Sequence, residues 1–372
     1  MWGLFAILGL YIGANIYIAL RLWQMAAMQP LWLRIALVSL LVIVASALFI
    51  SFTLRDTSTL SVISGWLFNI GSIWLVFVLY MTLALIVADI AKLLIPQLHN
   101  GTLYALIGVT LLLIYGNINY RHPRIEHISI ETDKLLYEHS YRMAVVSDIH
   151  LGYGTNRERL SRYVDIINRQ QPDVVVIVGD LIDNSILPVT QEDMCREFEH
   201  VTARDGIYMV AGNHEYISDI EACDRYLQNT PVRLVRDSVV RLSSGIQLLC
   251  RDDRSNRQRA TIEELLQQSN SDYPTVVLDH QPYDIATSDR CGVDIHLSGH
   301  THRGQVWPLS WMVDAMYDQS YGYRKWEQCH TIVSSGLSLW GPPFRIGTQS
   351  ELWVIDIQAS GKSEECRTQF LA

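Results

Sequence analysis

Val174-Val175-Val176-Ile177-Val178-Gly179-Asp180-Leu181-Ile182-Asp183 runs five branched apolar residues straight into a glycine and two acids. An unbroken branched run suits a strand covered on both faces, as in a parallel sheet. In α/β sheets, function gathers outside the carboxyl ends of the strands. The same pattern recurs on both sides of this stretch. Residues 143–146 end in Ser147-Asp148-Ile149-His150, and residues 207–210 end in Ala211-Gly212-Asn213-His214-Glu215. Residues 276–278 end in Asp279-His280, and residues 293–297 end in Ser298-Gly299-His300-Thr301-His302. Five successive strand ends carrying Asp, Asn and His point at one shared cleft.

The residue types fit one another chemically. Imidazole combined with carboxylate and amide oxygen suits zinc, manganese or iron better than calcium, which takes mostly oxygen. The set is larger than one four-coordinate metal needs. Two metals bridged by one carboxylate would use all of it. Each piece alone is weak, because a lone Asp-X-His or His-X-His is common on surfaces. The ordered series, each member after its own strand, is not.

Between these strand ends the signals alternate as an α/β (α+β) domain requires. Residues 156–170 have helical spacing through Leu160, Val164, Ile166 and Ile167. Residues 191–203 read as a helix. Residues 261–268 read as another, opened by Thr261 with Glu264 three positions on, a capping-box pattern. Residues 331–333 and 352–357 supply closing strands.

The front of the chain differs. Of 29 basic and 38 acidic residues, residues 1–120 hold only Arg21, Arg34, Arg55, Lys92, Asp56 and Asp89. Four segments there are long and apolar enough to span a bilayer, which takes roughly 20 residues. They run over about 2–20, 31–52, a stretch centred on 71–88, and about 102–118. Asn15, Asn69 and Asp89 are the polar candidates inside them, and Asp89 beside Lys92 suits a solvated helix end. The expected organisation is a multi-pass transmembrane helical domain over 1–120, a linker and lead-in strand over 121–140, a catalytic domain over 141–358 and a tail over 359–372. The net charge of −9 argues against a nucleic-acid binder, whose phosphate contacts need a basic surface. No protein partner is evident. Basic residues near the spans divide three against three, so the positive-inside rule gives no orientation. The six cysteines all lie in the soluble part; an even count permits disulfides and leans toward an extracytoplasmic catalytic domain, while free thiols are equally compatible.

The series Asp148-X-His150, Gly179-Asp180-X-X-Asp183, Gly212-Asn213-His214-Glu215, His280 and Gly299-His300-Thr301-His302 resembles the calcineurin-like metallophosphoesterase superfamily, and within it a membrane-associated bacterial branch. The resemblance spans about residues 140–358. It implies an αββα sandwich of two mixed sheets. It also implies that Asp148, His150, Asp180 and His302 hold one divalent metal, and that Asp180, Asn213, His280 and His300 hold a second, with Asp180 as the bridge. His214 would contact phosphate and act as a general acid, while Asp183 and Glu215 would support the ligands. Two dications lower the pKa of a shared water toward neutrality, so a metal-activated hydroxide is the implied nucleophile. Three features qualify the match. Arg303 stands where many relatives have Gly, and is a candidate contact to substrate phosphate or an exposed loop charge. Glu215 stands where relatives often have Asp. Trp340-Gly341-Pro342-Pro343-Phe344-Arg345 resembles a C-terminal block of the branch, and its Pro pair suggests a rigid cleft wall.

The expected activity is hydrolysis of a phosphodiester, pyrophosphate or phosphomonoester bond. Membrane tethering favours a phosphorylated lipid or envelope-precursor substrate at the plasma (inner) membrane. The alternatives are an anchored hydrolase of soluble nucleotides and a non-catalytic metal-binding membrane scaffold.

Overall fold

The computed structural model describes residues 2–360; the expected C-terminal tail beyond 360, with Cys366, lies outside them. The chain divides into two compact units, residues up to Ile118 with Gly341–Phe344, and Asn119–Trp340 with Arg345 onward.

The first unit is built from four helices, α1 (Trp2–Met25), α2 (Leu31–Leu54), α3 (Ser61–Leu94) and α4 (Gly101–Tyr120). All four are long and apolar enough to cross a membrane. They exceed the stretches expected from hydropathy, α3 most of all. With lipid as apolar as leucine, such helices associate through small residues and hydrogen bonds. Gly71 of α3 lies so close to the Leu48 backbone of α2 that a Cβ there would collide with it. Ser51 donates to Ser64 O at 2.8 Å across the same pair. Asn15 accepts from Trp74 Nε1 at 2.9 Å and donates to Tyr11 O at 2.8 Å, and Asn69 donates to Gly65 O at 2.8 Å. Asp89 accepts from Tyr17 Oη at 2.5 Å and from Arg21, and its side chain stays 37% exposed near the end of α3, as a solvated helix end requires. The segment Gly341–Phe344 belongs to this unit, where Asn117 Nδ2 donates to Pro343 O at 2.9 Å. The Pro pair expected to wall the cleft is therefore a part of the helical unit.

Among the described residues the second unit has twelve strands: β1 (Arg124–Thr132), β2 (Ser140–Val146), β3 (Val174–Val178), β4 (Ile207–Val210), β5 (Val232–Leu234), β6 (Ser238–Arg241), β7 (Gln247–Cys250), β8 (Thr275–Leu278), β9 (Ile295–Ser298), β10 (Gly322–Lys325), β11 (His330–Val333) and β12 (Glu351–Ala359). They form two six-stranded mixed sheets, ordered β1-β12-β2-β3-β4-β5 and β10-β11-β9-β8-β7-β6. The strands that carry the candidate ligands are parallel neighbours: β2, β3 and β4 in one sheet, β8 and β9 in the other.

Period-two alternation splits β3 between two cores. Val174, Val176 and Val178 face the second sheet, sharing a core with Leu248, Val276 and Leu297. Val175 and Ile177 face outward onto Leu160, Val164 and Ile167 of the helix α5 (Arg157–Asn168). Asn156 caps that helix, accepting from Arg159 N at 3.1 Å. Beyond the second sheet, Leu249 and Val277 pack on Ile262 and Leu265 of the helix Ile262–Leu266, whose Thr261–Glu264 capping box forms as expected. The layers are thus helix, sheet, sheet, helix.

One local reading is corrected, and the lead-in strand expected over 121–140 takes a definite place. The linker region holds β1, paired in parallel with β12 along its whole length. Its signal is faint because most of its residues remain solvated, as an edge strand allows. The helix expected over 191–203 is instead a short α-helix, Leu187–Gln191, followed by 3₁₀ turns over Met194–His200; Asp193 between them adopts a left-handed backbone that no continuous helix tolerates.

Candidate metal centre

Each candidate ligand sits just beyond the carboxyl end of its strand. Backbone hydrogen bonds then join the loops. Asp148 N donates to Gly179 O at 3.1 Å and His150 N to Asp180 O at 3.0 Å, joining the loops after β2 and β3. Gly299 N donates to His280 O at 2.9 Å, joining those after β8 and β9. The two pairs meet where His300 N donates to the Asp148 carboxylate, at 3.2 and 3.1 Å to its two oxygens.

Two clusters result. In the first, His150 Nε2 lies 3.1 Å from His302 Nε2, and Asp148 Oδ1 is 3.4 Å from His302 Nε2 and 3.8 Å from His150 Nε2. In the second, Asp180, His280 and His300 present ligand atoms within 4.8 Å of one another. Asp180 Oδ2 stands in both, 3.1 Å from His280 Nε2 and 3.7 Å from His150 Nε2. Asp148, His150, Asp180 and His280 are almost wholly buried.

The backbone is held in unusual conformations to achieve this. Asp148, His150, Asp180, His300 and His302 all have positive φ, between 47° and 70°. Such residues are uncommon outside glycine and gather where surroundings over-determine them, notably at functional sites. Close approach also demands small neighbours. A Cβ on Gly212 would collide with the Asp180 carboxylate, and one on Gly299 with that of Asp148.

The donor set fits divalent metals. Asn213 Oδ1 and His280 Nε2 are buried without a hydrogen-bond partner. A buried acceptor left unmade costs about 1–3 kcal/mol. A cation at each cluster would satisfy these atoms. His280 Nδ1 donates to Val178 O at 2.7 Å, so Nε2 is the nitrogen that would face a metal once any proton on it is displaced.

The charges have clear causes. Burial opposes ionisation of Asp148 and Asp180, yet the adjacent imidazoles hold both well below the usual carboxylate range. Burial likewise opposes charging His150, but its bonds to Asp148 and Asp183 prevail and push its pKa up to about 10. Burial lowers His302 to about 3, and a protonated His150 against it acts in the same direction. The two rings share one acidic environment, and one of them takes the proton.

The supporting residues divide by contact. Asp183 Oδ1 lies 3.3 Å from His150 Nδ1 and 3.1 Å from His214 Nδ1, so one carboxylate braces two rings. Glu215 is fully buried and accepts from Asp180 N, Ile182 N and Gly212 N at 3.0, 2.8 and 2.7 Å. It ties the loops after β3 and β4 together. Burial, then the Asp180 charge, pushes its pKa up to about 7. Arg303 stacks over the Tyr321 ring at 4.5 Å, with its Nε buried and unpartnered.

Several contributors make contacts that the sequence did not specify. Arg345 is fully buried and donates to His302 O at 2.8 Å, Ser338 O at 2.9 Å and Ser335 O. It therefore fixes both the His302 loop and the turn after β11. Burial lowers its pKa to about 10. Trp340 faces His214 with ring centroids 6.5 Å apart. Arg251 and Arg259 grip buried Asp279, next to His280, at 2.9 and 3.0 Å. The five described cysteines are all free, so the disulfide premise for an extracytoplasmic domain finds no support among the described residues.

Residues 141–304 match the sequence model of the calcineurin-like phosphoesterase family. The chain is 31% identical over 269 residues to a "Transmembrane protein with metallophosphoesterase domain" of Danio rerio, covering 68% of this chain and 61% of that protein. It is 29% identical over 262 residues to an uncharacterized metallophosphoesterase of Campylobacter jejuni, covering 68% of this chain and 69% of the relative. An uncharacterized metallophosphoesterase of Aquifex aeolicus is 25% identical over 66% of this chain and 96% of its own length. The resemblance thus reaches beyond a bacterial branch into vertebrates. The chain carries a calcineurin-like metallophosphoesterase domain, joined to four apolar helices of membrane-spanning length.

Proposed function

We propose that this protein is a membrane-anchored, dinuclear metal-dependent phosphoesterase acting on a phosphodiester, pyrophosphate or phosphomonoester bond of a lipid-linked or envelope substrate. One observation carries the reading: Asp180 Oδ2 faces both imidazole clusters, 3.1 Å from His280 Nε2 and 3.7 Å from His150 Nε2. Asp148, His150, Asp180 and His302 would hold one metal, and Asp180, Asn213, His280 and His300 the other. When bound, the metals supply Lewis acidity and lower the pKa of water.

The chain's own residues do the rest. His214 stands beside Asp183, with Nδ1 3.1 Å from Oδ1, and its imidazole would be offered to a phosphoryl oxygen or a departing alkoxide. His214 then stabilises the one and protonates the other. Arg303, planar and already stacked on Tyr321, offers a fork of donors to phosphate. The lipid-linked class follows from the four apolar helices, which put the enzyme where membrane substrates are concentrated. The plasma (inner) membrane is the proposed location.

Asp180→Ala or Asn213→Ala should abolish metal occupancy, read by elemental analysis, and with it turnover of a model phosphodiester. His214→Ala should retain both metals and slow turnover about 10²–10⁴-fold. Full activity of Asp180→Ala would end the hydrolase reading. Incubating the full chain with a membrane lipid extract should release a phosphorus-containing product. Release from soluble nucleotides, with none from lipid, would transfer the activity to the nucleotide class.

A further inference from the structure

Away from the metal cleft, the helical unit holds a second polar cavity of about 500 Å³. It lies where α1 and α3 end and α4 begins, lined by Arg21, Gln24, Lys92, His99, Asn100 and Thr102. Asp89 is the one acid in these helix ends. It is already committed, accepting from Tyr17 Oη at 2.5 Å and pairing with Arg21. One carboxylate therefore offsets one of two cations. Lys92 is exposed, with no acid at ion-pair distance among the described residues. Arg21 Nε is buried without a hydrogen-bond partner. Arg21 Nη1 donates to Gln24 Oε1 at 3.1 Å and Nη2 to Asp89, so the cavity keeps a net positive charge with the Lys92 ammonium as its open donor.

The walls say which anion belongs there. Met25, Leu98 and Leu103 of the lining give the cavity an apolar border, with Met25 47% and Leu103 42% exposed. A soluble phosphate has no use for that apolar border. A lipid has, because its phosphate meets the cations while its acyl chains cover the leucines. Basic cavities between spanning helices suit anionic head groups for this reason.

We propose that this cavity binds the phosphate of an anionic membrane lipid, with Lys92 and Arg21 as its cationic contacts. The site rests on the membrane-spanning reading of α1–α4 and is independent of the hydrolase chemistry. The full chain, purified in neutral detergent, would be titrated with phosphatidylglycerol and phosphatidylcholine and its bound lipids counted by native mass spectrometry. Phosphatidylglycerol should bind at least about fivefold more tightly than phosphatidylcholine. Lys92→Gln should lose about fivefold for phosphatidylglycerol alone, the weight of one basic residue at an anionic surface, and Lys92→Arg should restore it. Because Arg21 also holds Asp89, Lys92→Gln is the decisive variant. Metal content and hydrolysis of a soluble model phosphodiester should stay unchanged. Equal affinity for the two lipids, or an unaltered preference in Lys92→Gln, would overturn the proposal. So would displacement of phosphatidylglycerol by inorganic phosphate or glycerol 3-phosphate at similar concentrations, which would make it a soluble-anion site.

Discussion

Arg345 has no carboxylate at ion-pair distance among the described residues, yet it is fully buried and spends its guanidinium on backbone carbonyls of the His302 and Ser335–Ser338 turns. A charged donor suits this role because one planar group reaches several carbonyls at once. Arg345→Met keeps bulk and leaves those carbonyls without donors, at about 1–3 kcal/mol each. We expect a clear drop in thermal midpoint together with weaker metal retention. Unchanged metal affinity would confine Arg345 to the fold. His296 is a different kind of buried base. Ser298 Oγ donates to Asp279 O at 2.7 Å, so it accepts from His296 Nε2, and His296 Nδ1 accepts from Ser288 Oγ at 2.6 Å. The ring is neutral, and burial lowers its pKa from 6.5 to about 4. As pH falls from about 6.5 to 4, the unfolded chain takes up a proton here before the folded one does. That lowers stability by on the order of 3 kcal/mol across this window, with no further loss below it. His296→Gln should flatten this part of the pH–stability curve; an unaltered slope would contradict the neutral assignment.

At the scale of elements, the strands are ordinary and the loops are not. β2, β3, β4, β8 and β9 are short and fully or nearly fully buried, which leaves little freedom in where each ends. The loops then take left-handed turns at five of the seven candidate ligands. Such turns cost on the order of 1 kcal/mol or more each and persist only because neighbouring loops hold them. Gly336, after β11, completes this packing with a φ of 92°; a Cβ there would lie 2.8 Å from that of Asp148 and 3.4 Å from His302 Nδ1. Gly336→Ala should therefore displace Asp148 and lower metal occupancy more than it lowers the thermal midpoint of the metal-free protein. Equal metal content in variant and parent would show that the turn can yield.

Over the whole molecule, metal binding at the proposed centre and the charge state of the cleft would be one equilibrium. Without metal, the acids keep His150 protonated up to a pKa of about 10, and His280 is also raised well above its ordinary value. Metal must displace these protons, since only neutral imidazole ligates. Affinity should rise with pH by about one decade per unit for each proton displaced, through neutrality, and fall as pH drops. A metal-competition titration between pH 6 and 8, corrected for the chelator, should show a slope of one or more. A flat profile would mean the imidazoles are already neutral. Metal binding to the folded state should also raise the thermal midpoint, and chelation should reverse it.

The amino-acid sequence by itself singled out the candidate ligand series, because each member follows its strand within a few residues and the strand signal is local. It determined four apolar helices for the same reason, since apolar length is a local property. Period-two burial of Val174–Val178 followed from the branched run, although which valine met which core did not. A lead-in strand was expected over 121–140, but its place as the edge strand β1 was not, because its partner β12 is distant in the chain. Arg345, Arg251 and Gly336 were hidden too, since their roles exist only toward partners distant in the chain. His150 and His302 are 152 positions apart and 3.1 Å apart in space. Only tertiary structure brings such groups together, because buried charge, shared protons and left-handed turns are stabilised by neighbours from other strands and not by adjacent residues.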